Sequence, residues 1–251
     1  LVVFSELAVC GYPPGDMLLR DSFVSGCMRH LHDIASACTG IAAIVGCPSF
    51  NQSGRGRKRC NTAFFLADGH IKAEVHKALL PEYDVFDECR YFEPGTLFRP
   101  VEYNGMRIAL TVCEDIWTDG EHGQMYHACP MEMLAAHAPD VIVNIAASPF
   151  SYTHAEERVK TAARNASRFG LPVVYVNQTG AQTDLVFDGG SFVMDGKGKV
   201  CGELAPFTED LRIFQMTGKG SASRWTGDTG DAPVQDAVQR IHQALVLGVR
   251  D

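Results

Sequence analysis

The sequence predicts an α/β sandwich, and three observations carry the prediction. Short β-rich runs alternate with helical stretches along the chain, the longer helical stretches have an apolar face, and two pairs of runs are joined across Asp-Gly turns. Residues 1–4 read as the end of a buried strand, and 18–38 as an amphipathic helix. Residues 41–46 form a strand. Runs 62–67 and 71–76 flank Asp68-Gly69, a pair suited to the positive φ of a tight hairpin turn. A strand is expected over 107–112, a helix over 124–137, an apolar-rich strand over 141–145, a helix over 155–169 and a strand over 173–176. Residues 191–194 and 199–203 form a second hairpin across Asp195-Gly-Lys-Gly.

Beyond Met216 the composition changes. Residues 218–233 are rich in Gly, Ser, Thr and Asp, which predicts a linker or mobile segment between a domain over 1–217 and a terminal helix within 234–251. That helix carries Val238, Ile241, Leu245 and Val249 on one face. Having no core of its own, it must pack back on the domain, pack on another copy, or lead into a further domain.

With 251 residues, 46% of them hydrophobic, the chain can bury a large core as a single domain. The formal net charge is -8, and the basic residues are scattered except for Arg55, Arg57, Lys58 and Arg59, which fall in a turn-forming stretch and read as a solvated loop. This distribution argues against nucleic-acid binding or an anionic membrane surface. No apolar run approaches the roughly 20 residues that span a bilayer. The nine cysteines show no CxxC pair and no zinc-type spacing, so no metal is expected; the odd count suggests free thiols in a reducing, cytoplasmic compartment.

The segment Val112-Cys113-Glu114-Asp115-Ile116-Trp117 puts a cysteine where a buried strand ends and acidic helix-start residues begin. Amides at a helix start would favour the thiolate and bind a developing oxyanion. One cysteine among nine is more often a small core residue than a nucleophile. Two further strand ends add weight. Glu6 follows the first strand and precedes the stiff turn Cys10-Gly-Tyr-Pro-Pro-Gly15, and Lys77 follows the strand over 71–76. Taken singly, Glu6 and Lys77 would be surface charges or a structural ion pair; three ionisable side chains at three strand ends can instead converge on one sheet edge.

Together the segments Ser5-Glu6-Leu7, Gly11-Tyr12-Pro13-Pro14-Gly15-Asp16, Lys77-Ala-Leu-Leu-Pro81-Glu-Tyr83, Val85-Phe-Asp-Glu88, Val112-Cys113-Glu-Asp-Ile-Trp117, Ala147-Ser148-Pro149, Val176-Asn-Gln178 and Phe187-Asp-Gly-Gly-Ser191 resemble the nitrilase superfamily. Within it they resemble the glutaminase domains of glutamine-dependent NAD+ synthetases, over essentially the whole chain apart from the loop around Gly54 and the stretch 218–233. The resemblance implies a four-layer αββα sandwich whose first strand and helix precede residue 1, and association into an oligomer. It implies Cys113 as nucleophile, Glu6 as base, Lys77 as oxyanion partner and Glu88 as a second glutamate positioning lysine and amide. Around the L-glutamine pocket it places Tyr12, Tyr83, Glu114, Trp117 and Ser148, with His154 where relatives often carry a basic residue. No cofactor is implied for this domain; ATP and Mg²⁺ would serve a synthetase domain of the same polypeptide, and no GxxxxGK[ST] loop occurs here. The alternatives are a stand-alone amidase acting on another small amide, and a catalytically silent assembly scaffold.

Overall fold

The computed structural model describes residues 1–118, 125–230 and 235–251. In chain order the strands are β1 (Val2–Val3), β2 (Ala43–Phe50), β3 (Arg59–Ala67), β4 (His70–His76), β5 (Val101–Tyr103), β6 (Met106–Val112), β7 (Val141–Ala146), β8 (Val173–Asn177), β9 (Thr179–Gln182), β10 (Leu185–Asp188), β11 (Phe192–Met194), β12 (Val200–Glu203), β13 (Phe214–Thr217) and β14 (Arg224–Gly227). The helices are α1 (Asp21–Ala37), α2 (Pro130–Ala135), α3 (His154–Phe169) and α4 (Ala237–Arg250).

Two sheets stack at the centre. The first has the order β1-β2-β3-β4, with β1 and β2 parallel and the rest antiparallel. The second has the order β12-β11-β8-β7-β6-β5, with β6, β7 and β8 parallel. Strand alternation sorts the first sheet's residues into two layers. Ala43, Val45, Phe64 and Leu66 pack under Cys27, Leu31 and Ala35 of α1. Ala42, Ile44, Ala63, Phe65 and Ala67 join the second sheet's Leu110, Val112, Ile142 and Val143, in a core that continues to Met131 and Leu134 of α2 and Ala162 and Ala166 of α3. The result is the four-layer αββα sandwich. Because β3 is covered on both faces, all nine of its residues are buried, including the polar Asn61 and Thr62.

Several boundaries differ from the sequence reading. The helix expected over 124–137 is confined to Pro130–Ala135. Pro130 has no N–H and fits only a first turn, and it pushes Cys129 into extended backbone; position 124 itself lies outside the described residues. The stretch 218–233, expected as linker, contributes β14, which pairs with β13 in register from Thr217↔Arg224 to Phe214↔Gly227, and the Trp225 indole donates to the Met194 carbonyl at 2.8 Å. Small polar residues here make a hairpin turn docked on the second sheet. Arg59 does not belong to a solvated loop. It is buried, paired with Asp21, donates to the Leu18 carbonyl at 3.1 Å and lies 4.7 Å over the Phe50 ring, which ties α1 to β3.

Helix α4 begins at an Asp236 cap whose side chain accepts from Gln239 N at 2.8 Å. It packs back through Ala244 and Leu247 onto Phe207, Phe150 and Val186. The Val238, Ile241, Leu245 and Val249 stripe faces outward. No helix of the described residues is long and apolar enough to cross a membrane.

Candidate active site

Glu6, Lys77 and Cys113 stand just beyond the ends of β1, β4 and β6. The sandwich brings these ends together, and each is gripped locally. The Ser5–Leu7 backbone lies directly against Gly46 of β2, where a Cβ would come within 2.5 Å of the Ser5 carbonyl oxygen; only glycine admits that approach. Lys77 is held by its own amide to the Asn61 carbonyl at 2.8 Å and by its carbonyl from Gly95 N at 2.8 Å. Cys113 opens a single 3-10 turn, Cys113–Ile116, with φ of +44°, a left-handed conformation unusual for a residue with a Cβ.

Lys77 and Glu6 are fully buried and Glu88 nearly so. The Lys77 ammonium bridges the two carboxylates, 2.9 Å from Glu6 Oε1 and 2.7 Å from Glu88 Oε1. Glu6 Oε1 also accepts from Asn61 Nδ2 at 2.7 Å, and its Oε2 from the Ala147 amide at 2.9 Å, so three donors fix that carboxylate's orientation. Tyr12 donates to Glu88 Oε1 at 2.8 Å. Glu88 Oε2 is buried without a hydrogen-bond partner among the described residues.

Burial alone would lower the Lys77 pKa, but Glu6 and Glu88 outweigh it and hold the lysine charged, well above its ordinary value. Burial raises the Glu88 carboxyl to about 7 against the opposing pull of Lys77. Burial and then the Glu6 charge push the Cys113 thiol well above the usual thiol range, while Lys77 pulls it down. This corrects the expectation that helix-start amides would favour the thiolate. One 3-10 turn supplies little dipole, and burial of the thiol dominates, with the Glu6 charge next. Moving the thiol proton to Glu6, whose charge acts on it, would leave the total charge of the cluster unchanged.

The other expected residues fall into two groups. Tyr83 donates to both oxygens of Glu114, at 2.9 and 3.0 Å, and its ring packs on Phe86, which in turn meets Tyr12; these join the wall beside the cysteine. Ser148 is buried next to Ala147, its amide donating to Asn177 Oδ1 at 2.8 Å. Trp117 packs against the main core. His154 begins α3, with Nδ1 3.1 Å from the Pro149 carbonyl and Nε2 3.8 Å from Glu157, so its ring is turned toward its own helix start.

Residues passed over in the sequence complete the cluster. Besides Asn61, Asn144 donates to Thr111 Oγ1 at 3.0 Å and to the Cys113 carbonyl at 3.3 Å. Asp115 accepts from the amides of Ala78, Leu79 and Val112. Arg158 is buried and holds both oxygens of Asp188, at 2.8 and 2.7 Å, and Arg240 of α4 adds a contact at 3.2 Å. Polar residues inside apolar strand runs, such as Asn61 and Asn144, were the available signal. Among the described residues no group of three or more His, Cys, Asp or Glu is arranged to hold a metal ion.

A cysteine on a strained turn, beside a buried lysine shared by two carboxylates at the edge of a two-sheet sandwich, defines a class of α/β proteins equipped for thiol-based acyl transfer. Residues 1–222 match the carbon-nitrogen hydrolase model, and the chain belongs to that family. The glutamine-dependent NAD(+) synthetase of Synechocystis sp. is 38% identical over 264 residues, covering 100% of this chain and 46% of the relative. The structure of glutamine-dependent NAD+ synthetase from Acinetobacter baumannii in complex with ADP superposes with a TM-score of 0.86 at 31% identity, over 100% of this chain and 45% of that one. A glutamate-to-glutamine mutant of the amidase from Nesterenkonia sp. AN1, showing covalent addition of an acetamide moiety at its active site cysteine, superposes with a TM-score of 0.65 at 25% identity, over 81% of this chain and 72% of that one. The chain spans about half the length of the synthetase relatives it matches.

Proposed function

We propose that this chain is the glutaminase half of a glutamine-dependent NAD+ synthetase, hydrolysing L-glutamine through a Cys113 thioester and passing ammonia to a synthetase domain of the same polypeptide. The observation that carries the reading is the buried Lys77 ammonium bridging Glu6 and Glu88 within electrostatic reach of the Cys113 thiol. The Synechocystis and Acinetobacter baumannii synthetases align with all of the chain, the latter with a TM-score of 0.86, whereas the amidase aligns with 81% of it at 0.65, which favours this reading over a stand-alone amidase.

In this reading Glu6 takes the thiol proton as Cys113 Sγ attacks the carboxamide carbon. The carbonyl π electrons move to oxygen, where the Lys77 ammonium and the Glu114 backbone N–H meet the developing charge. When the C–N bond breaks, the proton held on Glu6 goes to the leaving nitrogen, releasing ammonia and a glutamyl thioester. Glu6 then takes a proton from water as it attacks the thioester, and returns it to sulfur as glutamate departs. Glu88 orients Lys77, and its unpartnered Oε2 suits an amide N–H of the substrate. Tyr12, Tyr83, Glu114, Trp117, Ser148 and His154 would line the glutamine pocket, and a half-exposed imidazole is a weaker carboxylate partner than a fixed cation.

ATP and Mg²⁺ would serve the synthetase half, where ammonia amidates nicotinic acid adenine dinucleotide. A cytoplasmic setting and a homo-oligomer complete the proposal. Cys113→Ala in the complete protein should abolish glutamine-supported NAD+ synthesis while ammonia-supported synthesis persists. If the two fell together, or neither fell, the division of labour would be wrong.

A further inference from the structure

Asp115 has no part in the chemistry above, yet it is 2% exposed and its carboxylate joins two separate segments. Oδ1 accepts from the amides of Ala78 and Leu79, at 2.9 and 3.0 Å, immediately after Lys77. Oδ2 accepts from the Val112 amide at 3.0 Å, immediately before Cys113. The Lys77 segment leaves the first sheet at the end of β4, and the Cys113 turn leaves the second at the end of β6. One carboxylate therefore spans the two sheets where lysine and thiol must meet.

The chemistry of the donor set explains why the residue is an aspartate. Three N–H groups converge on it from both sides, and only a carboxylate offers acceptors on both oxygens; an asparagine would aim an NH₂ at one of those amides. Burying the carboxylate is unfavourable, and burial lifts its pKa to about 6 despite the three amides. The cost is tolerated at a place where two strand ends have no mutual ladder: β4 pairs with β3, and β6 with β5 and β7. The turn it anchors also carries the positive φ of Cys113.

We infer that Asp115 is a positioning residue that clamps the Lys77 strand end to the Cys113 turn, setting the separation of ammonium and sulfur. The inference rests on the thiol-acylation reading above only for the identity of the reacting amide.

The test is Asp115→Asn in the full chain, with two readouts: the pH profile of Cys113 alkylation by iodoacetamide, followed by mass spectrometry, and kcat and KM for glutamine hydrolysis. The expected result is a profile displaced to higher pH, because Lys77 no longer sits against the thiolate, and a kcat lowered about 10²-fold with KM changed much less. A variant that folds, as judged by circular dichroism, and keeps the wild-type profile and kcat overturns the inference. If it does not fold, hydrogen exchange on the wild-type chain decides: the Ala78 and Leu79 amides should be protected as well as that of Val112, and exchange of the pair at loop rates overturns the clamp. A wild-type chain that fails to hydrolyse glutamine, while the variant still displaces the Cys113 profile, defeats the assigned substrate and leaves the clamp standing.

Discussion

Replacing Gly46 with alanine probes how closely the site depends on backbone packing. Gly46 lies in β2, with its amide donating to the Ser5 carbonyl at 3.2 Å and its carbonyl accepting from Val9 N at 3.2 Å. A Cβ there would meet the Ser5 carbonyl oxygen at 2.5 Å and the Glu6 carbonyl carbon at 2.7 Å, and the Leu7 nitrogen closer still, where ordinary contact begins at 3.4 Å. These neighbours are backbone atoms and cannot rotate aside, so the 5–7 segment must retreat by about 1 Å, a strain worth about 1–3 kcal/mol for overpacking. In a domain of this size each kcal/mol lowers Tm by about 2–4 °C. The same retreat withdraws the Glu6 carboxylate from contacts of 2.7 to 2.9 Å with Asn61, Lys77 and Ala147. A displacement of this size costs about 10²-fold in rate. Ammonia release from glutamine and a thermal melt measure the two effects. A Gly46→Ala chain with wild-type Tm and a rate within about two-fold of wild type would show that Glu6 is not held by this close approach.

Four other outcomes follow from the buried charges. Lys77→Met leaves Glu6 and Glu88 without their cation and should cost about 3–5 kcal/mol at pH 8. The loss should shrink toward pH 5, because the folded Glu88 carboxyl, raised by burial, then holds a proton that the unfolded chain releases near its ordinary carboxylate pKa; a loss independent of pH would contradict the shared-lysine geometry. Glu88 binds its proton more tightly when folded, since burial lifts it from 4.5 to about 7, so its contribution to stability declines as pH rises across that window. Glu88→Gln should flatten that slope, and melting curves at pH 5 and 7.5 with unchanged slope would refute the assignment. Asn61→Leu removes a buried donor to Glu6 and should cost about 1.5–3 kcal/mol, read by urea unfolding. Asp188→Leu should destabilise more than Arg158→Met, because the first leaves two arginines unpaired whereas in the second Arg240 still holds the aspartate; the reverse order in urea midpoints would rule out the three-residue network.

Much of the framework was legible because it is local. Asp68-Gly69 dictates the β3–β4 hairpin, and apolar spacing at Val24, Cys27, Leu31 and Ala35 marks the buried face of α1. The hairpin of β13 and β14 was hidden because Gly218 and Gly220, which read as linker, serve as turn residues with positive φ. The helix expected over 124–137 was overextended because its apolar content outweighed the stop signal of Pro130. The nitrilase resemblance identified Glu6, Lys77, Glu88 and Cys113, and the structure brings the lysine between the two glutamates.

What the sequence alone determined was which chemical groups stand at strand ends, since strand, turn and breaker patterns are properties of neighbouring residues. Whether those groups meet depends on contacts between residues 71 and 141 positions apart, such as Lys77 with Glu6 and Ala147 with Glu6. Only the stacked sheets decide that. They also determine that Asn61, Asp115 and Asn144 are buried hydrogen-bonding partners rather than surface polar residues, and that the Cys113 thiol is pushed above the usual thiol range, because burial and the field of nearby charges arise from segments that sequence order keeps apart.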